Sequence, residues 1–418
     1  MSAIDPLNPR AGEALYALQN DLPMPVEAQR SSYRWIVLMF AWGALLLSFV
    51  DRLAWSSLAV SVGESLGLAI AALGSFVTAF YVGYVASNLG GGFLTDVLGP
   101  RKTLALSLLP LGLCTLLFGH VTSVPIGLLM QALMGLAAGC DYSACIKLTT
   151  AWFDVRQRGR AMGILMTATS LAVIITNFVV PRLLKVQSWG DIYQDLGIVT
   201  ATFGLVCLVV VRDGPLAAKQ VREPIDIRAM LRNRDLVLLA IAGFGAMWGT
   251  WGFTFWANAL MIKGHGFSTA AAGSITVLFG IGAIVSKPLI GLLSDWLGGR
   301  RKILVMGCFV CFTILLLVYG LLDTEQSFRI VAPLLGVAAF AYSPLTAAMV
   351  AEIAGKSIAG SATGATNAFW QLGSVTVPLV VGAVFQSSHS FMAAFVTLAL
   401  GPLFAAIGLT FVREIKRF

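Results

Sequence analysis

Residues 92–102 read G-F-L-T-D-V-L-G-P-R-K, and residues 291–302 read G-L-L-S-D-W-L-G-G-R-R-K. Each stretch closes an apolar segment of helix-spanning length and opens onto another. Each sets an aspartate (Asp96, Asp295), a glycine and then two or three bases where a helix would leave a membrane. A phrase that returns once in each half of a 418-residue chain implies two related halves. Parallel repeats with a site between them are an architecture of membrane carriers.

Composition supports a membrane solvent. The chain is 58% hydrophobic and 11% charged, against about 25% charged in soluble domains. Its length divides into spans of roughly 20 residues. Twelve are predicted, at 35–60, 71–94, 103–119, 124–147, 161–182, 193–211, 236–259, 271–294, 303–321, 330–352, 361–385 and 391–412. The expected fold class is an all-α membrane protein, twelve transmembrane helices in two six-helix pseudo-symmetric halves. The halves run over 35–212 and 236–412. A connector at 213–235 joins them, and segments 1–34 and 413–418 flank them. The connector region carries Pro215 and Pro224 among many charges.

The formal charge of +8 is a matter of topology. Most Lys and Arg fall on one side: Arg10, Arg30 and Arg34, the Arg101 and Arg300 loops, Arg156 to Arg160, the connector, Lys356 and the C-terminal tail. The opposite side holds Arg182, Lys185, Lys263 and Arg329. Such asymmetry places both termini in the cytoplasm and leaves no basic, aromatic surface for nucleic acid. Residues 1–34 show neither a basic n-region nor an apolar h-region, so no cleavable signal peptide is predicted. Cys308 and Cys311 spell C-x-x-C, but inside a span they read as small packing residues. Three isolated histidines form no metal set, and no P-loop or nucleophile elbow is present. No enzyme activity, cofactor or metal is expected.

Five ionisable residues lie inside spans: Asp51, Arg52, Asp141, Lys147 and Lys287. Each costs about 2.5–3.5 kcal/mol on insertion scales, and such residues usually line a cavity or an ion path. The alternative is structural ion pairing between helices. Asp51 and Arg52 are adjacent, so their side chains leave a helix about 100° apart and meet different neighbours. Lys147 and Lys287 lie about 10–12 Å from their cytoplasmic helix ends at 1.5 Å per residue. Three bases against two acids leave a positive excess, which an anionic ligand would balance. Arg52 can grip a carboxylate through two N–H groups, whereas the lysines act as compact charges. Asp51 and Asp141 are candidate proton carriers, with Asp51 preferred because it adjoins Arg52.

The twelve spans, the central connector and the paired G-x-x-x-D loops resemble the major facilitator superfamily over residues 35–412. The family's loop has Arg where this chain has Val97 and Pro100, and the second copy has Trp296 and an extra Gly. The resemblance implies a cytoplasmic gate at Asp96, Arg101, Lys102, Asp295 and Arg300, with a base latching the halves. Glu352, at the cytoplasmic end of span 10, is a further gate candidate. Phe49-Val50-Asp51-Arg52, and Trp152-Phe153 followed by Arg158, Ala161 and Gly163, look like the anion:cation symporter branch. In that branch the span-1 Arg binds the substrate carboxylate, and its neighbouring Asp joins in proton coupling. Asp141 is similar to a span-4 acid used there, displaced by about one turn. Lys287-Pro288 resembles the base before Pro in span 8 of oxalate:formate exchangers.

Tyr81, Tyr84 and Trp370 are candidate lining residues, with packing as the alternative for each. Asn367, Gln371 and Asn177 could bond a ligand or bridge helices. The sequence thus reads as a proton-coupled secondary transporter importing a small organic anion by alternating access: a carboxylate, sugar acid or aromatic acid. The rivals are an organic anion exchanger without proton coupling and an exporter of drugs or siderophore-like compounds. Three intramembrane bases argue against cationic drugs. The expected partners are the anion, protons and the lipid bilayer of the inner (plasma) membrane, with the chain acting as a monomer.

Overall fold

The computed structural model describes residues 32–153, 155–214, 232–296 and 300–413. The N-terminal segment, most of the connector and the last five residues, with their basic side chains, lie outside these. Among the described residues twelve helical segments are long and apolar enough to cross a membrane. They are α1 (Tyr33–Ser65), α2 (Ile70–Leu98), α3 (Pro100–Phe118), α4 (Val124–Trp152), α5 (Val155–Leu183), α6 (Trp189–Val210), α7 (Arg234–His265), α8 (Thr269–Trp296), α9 (Arg301–Gly320), α10 (Glu325–Ala354), α11 (Ala365–Ser388) and α12 (Phe391–Thr410). The backbone is helical without a break from Glu325 to Ser388, so α10 and α11 are two spans of one helical run. The protein is an all-α, multi-pass membrane protein.

Local sequence chemistry sets the helix ends. Ser188 and Asp191 form a reciprocal capping box at α6, and the Asn233 side chain accepts from two amides at the start of α7. Thr324 and Ser390 cap α10 and α12. The repeated phrase makes a sharp turn. Gly99 stands at φ 83°, where a side chain would be strained, and Pro100 then opens α3 with its fixed φ.

Within the first half, α3 packs on α6 and α2 on α4. The α2–α4 crossing is unusually tight. A Cβ on Gly135 would lie 1.8 Å from the Phe80 carbonyl oxygen, and one on Gly83 would lie 2.0 Å from that of Ala132. Small residues allow such approach where lipid supplies no hydrophobic drive between helices. The crossing holds Phe80 and Tyr84 of α2 against α4, with Tyr81 turned to Trp251 and Phe255 of α7, and the site is built there.

The halves meet through α1 with α7, α2 with α11 and α5 with α8. Four helices join in one buried polar knot. Asn258 of α7 donates to Asn177 of α5 at 2.7 Å and to Ser57 of α1 at 3.3 Å. Ser57 also donates to Asn177 at 3.2 Å, and Thr276 of α8 donates to Asn258 at 2.7 Å. Further out, Lys263 pairs with Glu64 at 2.6 Å. Beside them Thr78 donates to the Val375 carbonyl at 2.8 Å, and Gln386 accepts from the Ala71 amide at 3.1 Å. All of these lie toward the helix ends away from Gly99 and Arg101. The two halves are therefore closed on the face opposite the basic loops.

Replacing Gly135 by Val should break the α2–α4 crossing. The obstructing atom is backbone, so the loss should exceed the roughly 1–3 kcal/mol of ordinary overpacking. It would be read as a lower melting temperature and loss of the monodisperse peak in detergent. An unchanged melting temperature would contradict this crossing.

Candidate functional site

Arg52 is the centre of the site. It is 4% exposed, on the part of α1 that faces α2 and α7. Its guanidinium carbon lies 4.3 Å from the ring centre of Phe49, 4.2 Å from Tyr84, 5.4 Å from Phe80, 5.5 Å from Tyr81 and 5.8 Å from Trp251. Aromatic faces attract a cation through their quadrupole, and more strongly once water is gone. They accept no conventional hydrogen bond, however. Arg52 Nε and Nη2 have no partner. A small cavity opens beside it, lined by Trp55, Val77, Phe80, Gln131 and Phe255. Trp251 and Phe255 come from α7, so both halves contribute to this wall.

Asp141 supplies the nearby negative charge. The helix of α4 is interrupted by a turn at Gly139 and Cys140, and Asp141 opens the segment Asp141–Trp152. Its carboxylate thus sits at a helix N-terminus, where the backbone dipole favours negative charge. It is fully buried, within electrostatic range of Arg52 and beside the Ser48 hydroxyl. Neither carboxylate oxygen has a formed hydrogen bond. A buried acid left so open to a partner can exchange a proton or turn toward a ligand.

Asp51 faces the other way. Thr115 of α3 donates to it at 3.5 Å, and Thr200 and Tyr193 of α6 lie around it. The 100° between neighbours on a helix has sent Arg52 to the inter-half wall and Asp51 into the first half's interior. The preference for Asp51 as the carboxylate beside the guanidinium is corrected accordingly: Asp141 holds that place.

Lys147 also differs from the expectation. Its ammonium pairs with Asp96 at 2.6 Å and bonds the Thr95 carbonyl at 3.3 Å. The break in α4 leaves it five residues from the helix end, on the α2 side. It belongs to the repeated loop rather than to the wall around Arg52. Trp370 is likewise set apart: its indole donates to Leu239 O at 3.1 Å, and its ring lies over Gly243 in α7–α11 packing. Gln371 accepts from Ser374 at 3.3 Å, Asn367 is half-buried, and Asn177 is the bridging residue of the polar knot. Lys287 reaches Ser170 at 3.1 Å and Thr169 at 3.4 Å across the α5–α8 contact.

The gate candidates join helices within a half. Arg101 donates twice to Leu208 O at the end of α6, at 2.9 and 2.6 Å, and its amide donates to Asp213. Lys302 does the same in the second half, donating to carbonyls at Thr410 and Val412. Arg301 pairs with Glu352. Among the described residues the printed contacts of these side chains are staples inside each half. Lys102 and Arg300 are exposed, and the Asp295 side chain lies outside the described residues. Sequence reading missed Ser57, Asn258 and Thr276. A lone amide in apolar Ala257-Asn258-Ala259 was the available signal for one of them.

A family model described as Major Facilitator Superfamily matches residues 40–378. The chain is 23% identical to the "Probable galactarate/D-glucarate transporter GarP" of Escherichia coli (strain K12), over 92% of this chain and 96% of that protein. It is 25% identical to the "Probable galactarate/D-glucarate transporter GudP" of Bacillus subtilis (strain 168), over 93% and 94%. Among solved structures, a D-xylose-proton symporter superposes with a TM-score of 0.75 at 17% identity, covering 92% of this chain and 98% of that one. At that identity the likeness concerns the fold.

The Asp96–Lys147 pair is part-exposed, so reversing Lys147 to Glu should cost between about 0.5 kcal/mol, the surface value, and about 3 kcal/mol, the buried one. The swap Asp96→Lys with Lys147→Asp should restore most of that in a melting measurement. No recovery would mean that the two do not act as a pair.

Proposed function

This chain belongs to the Major Facilitator Superfamily, and from that premise we propose that it imports a small organic anion together with protons by alternating access. Arg52 carries the reading. A guanidinium with two open donors, boxed by aromatic rings from both halves, is built to receive a carboxylate through a charge-assisted fork. The rings of Phe49, Phe80 and Trp251 supply attraction without competing for the N–H groups, while the Tyr81 and Tyr84 hydroxyls lie close enough to share them. The names of the relatives, galactarate/D-glucarate transporters, support a carboxylate or sugar acid as the class.

Asp141 is the proposed proton carrier. It shares the field of Arg52, and a bound anion would offset that field. Substrate and proton then favour each other by reciprocal coupling. Asp51 is the second candidate, acting from behind α1. The knot at Asn258 closes the far face, while the ion pairs at Asp96 and Glu352 keep the basic end of each half rigid. Tyr81 and Tyr84 flank the bound carboxylate. The chain sits in the inner membrane with both termini cytoplasmic. The monomer remains the proposed working unit.

Arg52→Lys should raise the dissociation constant for the substrate anion about tenfold or more, because the planar fork is lost while the charge remains. Unchanged affinity in a folded variant removes Arg52 from the binding role. In proteoliposomes, Asp141→Asn should retain substrate counterflow yet fail to accumulate substrate when an inward proton gradient is imposed. Accumulation by Asp141→Asn at the wild-type level would transfer the carrier role to Asp51, and accumulation by both Asn variants would mean exchange without proton coupling.

A further inference from the structure

The stripe of α4 that packs on α2 runs Gly127, Gln131, Gly135, one residue per turn. The glycines let the two helices close up. A Cβ on Gly127 would lie 2.7 Å from the Phe76 ring, and Gly135 meets the Phe80 carbonyl. Between them stands a long carboxamide. Gln131 is 4% exposed, and among the described residues nothing hydrogen-bonds to it. Packing alone gives no account of this residue, since an apolar side chain of the same shape would spare the cost of burying an unbonded amide.

Gln131 and Arg52 line one cavity, with Trp55, Val77, Phe80 and Phe255 as its other walls. A second small cavity adjoins it at Trp55, Val77 and Phe255 and continues between Ala59, Leu73 and Trp256. The Trp256 indole is bonded to Pro378 O, whereas the Trp55 indole N–H has no partner among the described residues. The unpaired polar groups of these walls are therefore the donors of Arg52 and Trp55 and the carboxamide of Gln131. Whichever way that carboxamide is turned, it brings an acceptor oxygen as well as donors. The oxygen takes no proton from Arg52, whose Nε and Nη2 stay unpaired. The group that completes the wall must thus accept from the guanidinium and also donate. An ammonium donor would be repelled by Arg52, and a hydroxyl would not. As the helices stand, the cavity has room for little more than one water-sized group.

We infer that Gln131 is a specificity residue: with the substrate carboxylate on Arg52, its carboxamide holds a single hydroxyl beside that carboxylate, and the apolar walls cover a hydrophobic skeleton. The inference rests on the proposed organic-anion function and narrows it to 2-hydroxy acids whose remaining carbons are apolar. Each further hydroxyl laid against these walls would give up its bonds to water and gain none. Polyhydroxylated acids are therefore the poorer ligands of this wall. The adjoining cavity, apolar on every side, suits a methyl or methylene group. Because Gln131 is neutral, it selects among anions without changing the charge that Arg52 and Asp141 set.

Binding of matched acids to the purified, lipid-reconstituted protein, read against empty liposomes, tests this. The probe pairs are 2-hydroxy-3-methylbutyrate with 3-methylbutyrate, 2-hydroxyhexanoate with hexanoate, and mandelate with phenylacetate, near neutral pH where the carboxyls are ionised. Within a pair only the hydroxyl changes. Galactonate is the polyhydroxylated probe. In at least one pair the hydroxy acid should bind about fivefold or more tightly than its partner, and more tightly than galactonate. Gln131→Met, close in shape, should erase that preference while leaving the acid without the hydroxyl within about twofold. Gln131→Leu should do the same, which guards against a packing artefact of one variant. Arg52→Lys should weaken both members. Absence of a hydroxyl preference in every pair, equal weakening of both acids by the Gln131 variants, or tighter binding of galactonate than of every paired acid overturns the inference. If the acids then still bind in an Arg52-dependent manner, the organic-anion function stands without it. If none of these acids binds, both fall.

Discussion

The structure is organised around a guanidinium that has been taken out of water and given no carboxylate to grip. Burying a charge is costly unless it is compensated. At Arg52 the compensation comes from ring faces on α1, α2 and α7 and from the field of a carboxylate on α4. Each source requires helices to be close. The Gly83 and Gly135 crossing brings α2 onto α4, and the turn at Gly139 brings Asp141 to a helix start. The tight packing of the first half is thus in part the means of holding one buried cation that touches no carboxylate.

The two halves repeat one solution at their basic ends. Arg101 and Lys302 each follow the turn of the repeated phrase, and each donates to carbonyls that end the sixth helix of its half. A cation there satisfies orphan acceptors and suits the negative end of the helix. Cross-links of this kind make each six-helix unit stiff where it meets the aqueous phase. Motion is then left to the contacts between units, where helix packing and aromatic rings are joined by a few amides and hydroxyls and, among the described residues, by the Lys263–Glu64 pair.

The architecture is legible in the sequence because its signals are long: apolar runs, a phrase used twice and a one-sided distribution of bases. Arg52 is legible because a guanidinium within a span is costly and rarely placed there without a cavity to line. Orientation is not legible. Asp51 and Arg52 are one residue apart, and nothing in their order says which of them faces the inter-half wall. Lys147 reads as a cavity charge because its partner Asp96 lies fifty-one positions away, a contact that depends on how α2 and α4 cross. Trp370 misleads for a similar reason. Its ring fills the space over Gly243, and a glycine in one helix does not reveal which aromatic from another will cover it. The knot around Asn258 is made of ordinary polar residues on four helices, and only their convergence gives them significance.

That knot has a bearing on the solvent. Its groups are neutral, so ionic strength has little hold on it. When the halves part on that face, two carboxamides and two hydroxyls lose their mutual bonds, and each stranded donor or acceptor is costly in an apolar setting. Water must enter to satisfy them. The opening of that face is therefore a hydration reaction as much as a mechanical one, and the activity of water is one of its thermodynamic variables. Solutes too large to enter the mouth would draw that water out and favour the closed face, so that the carrier's conformational balance acts as a molecular osmometer.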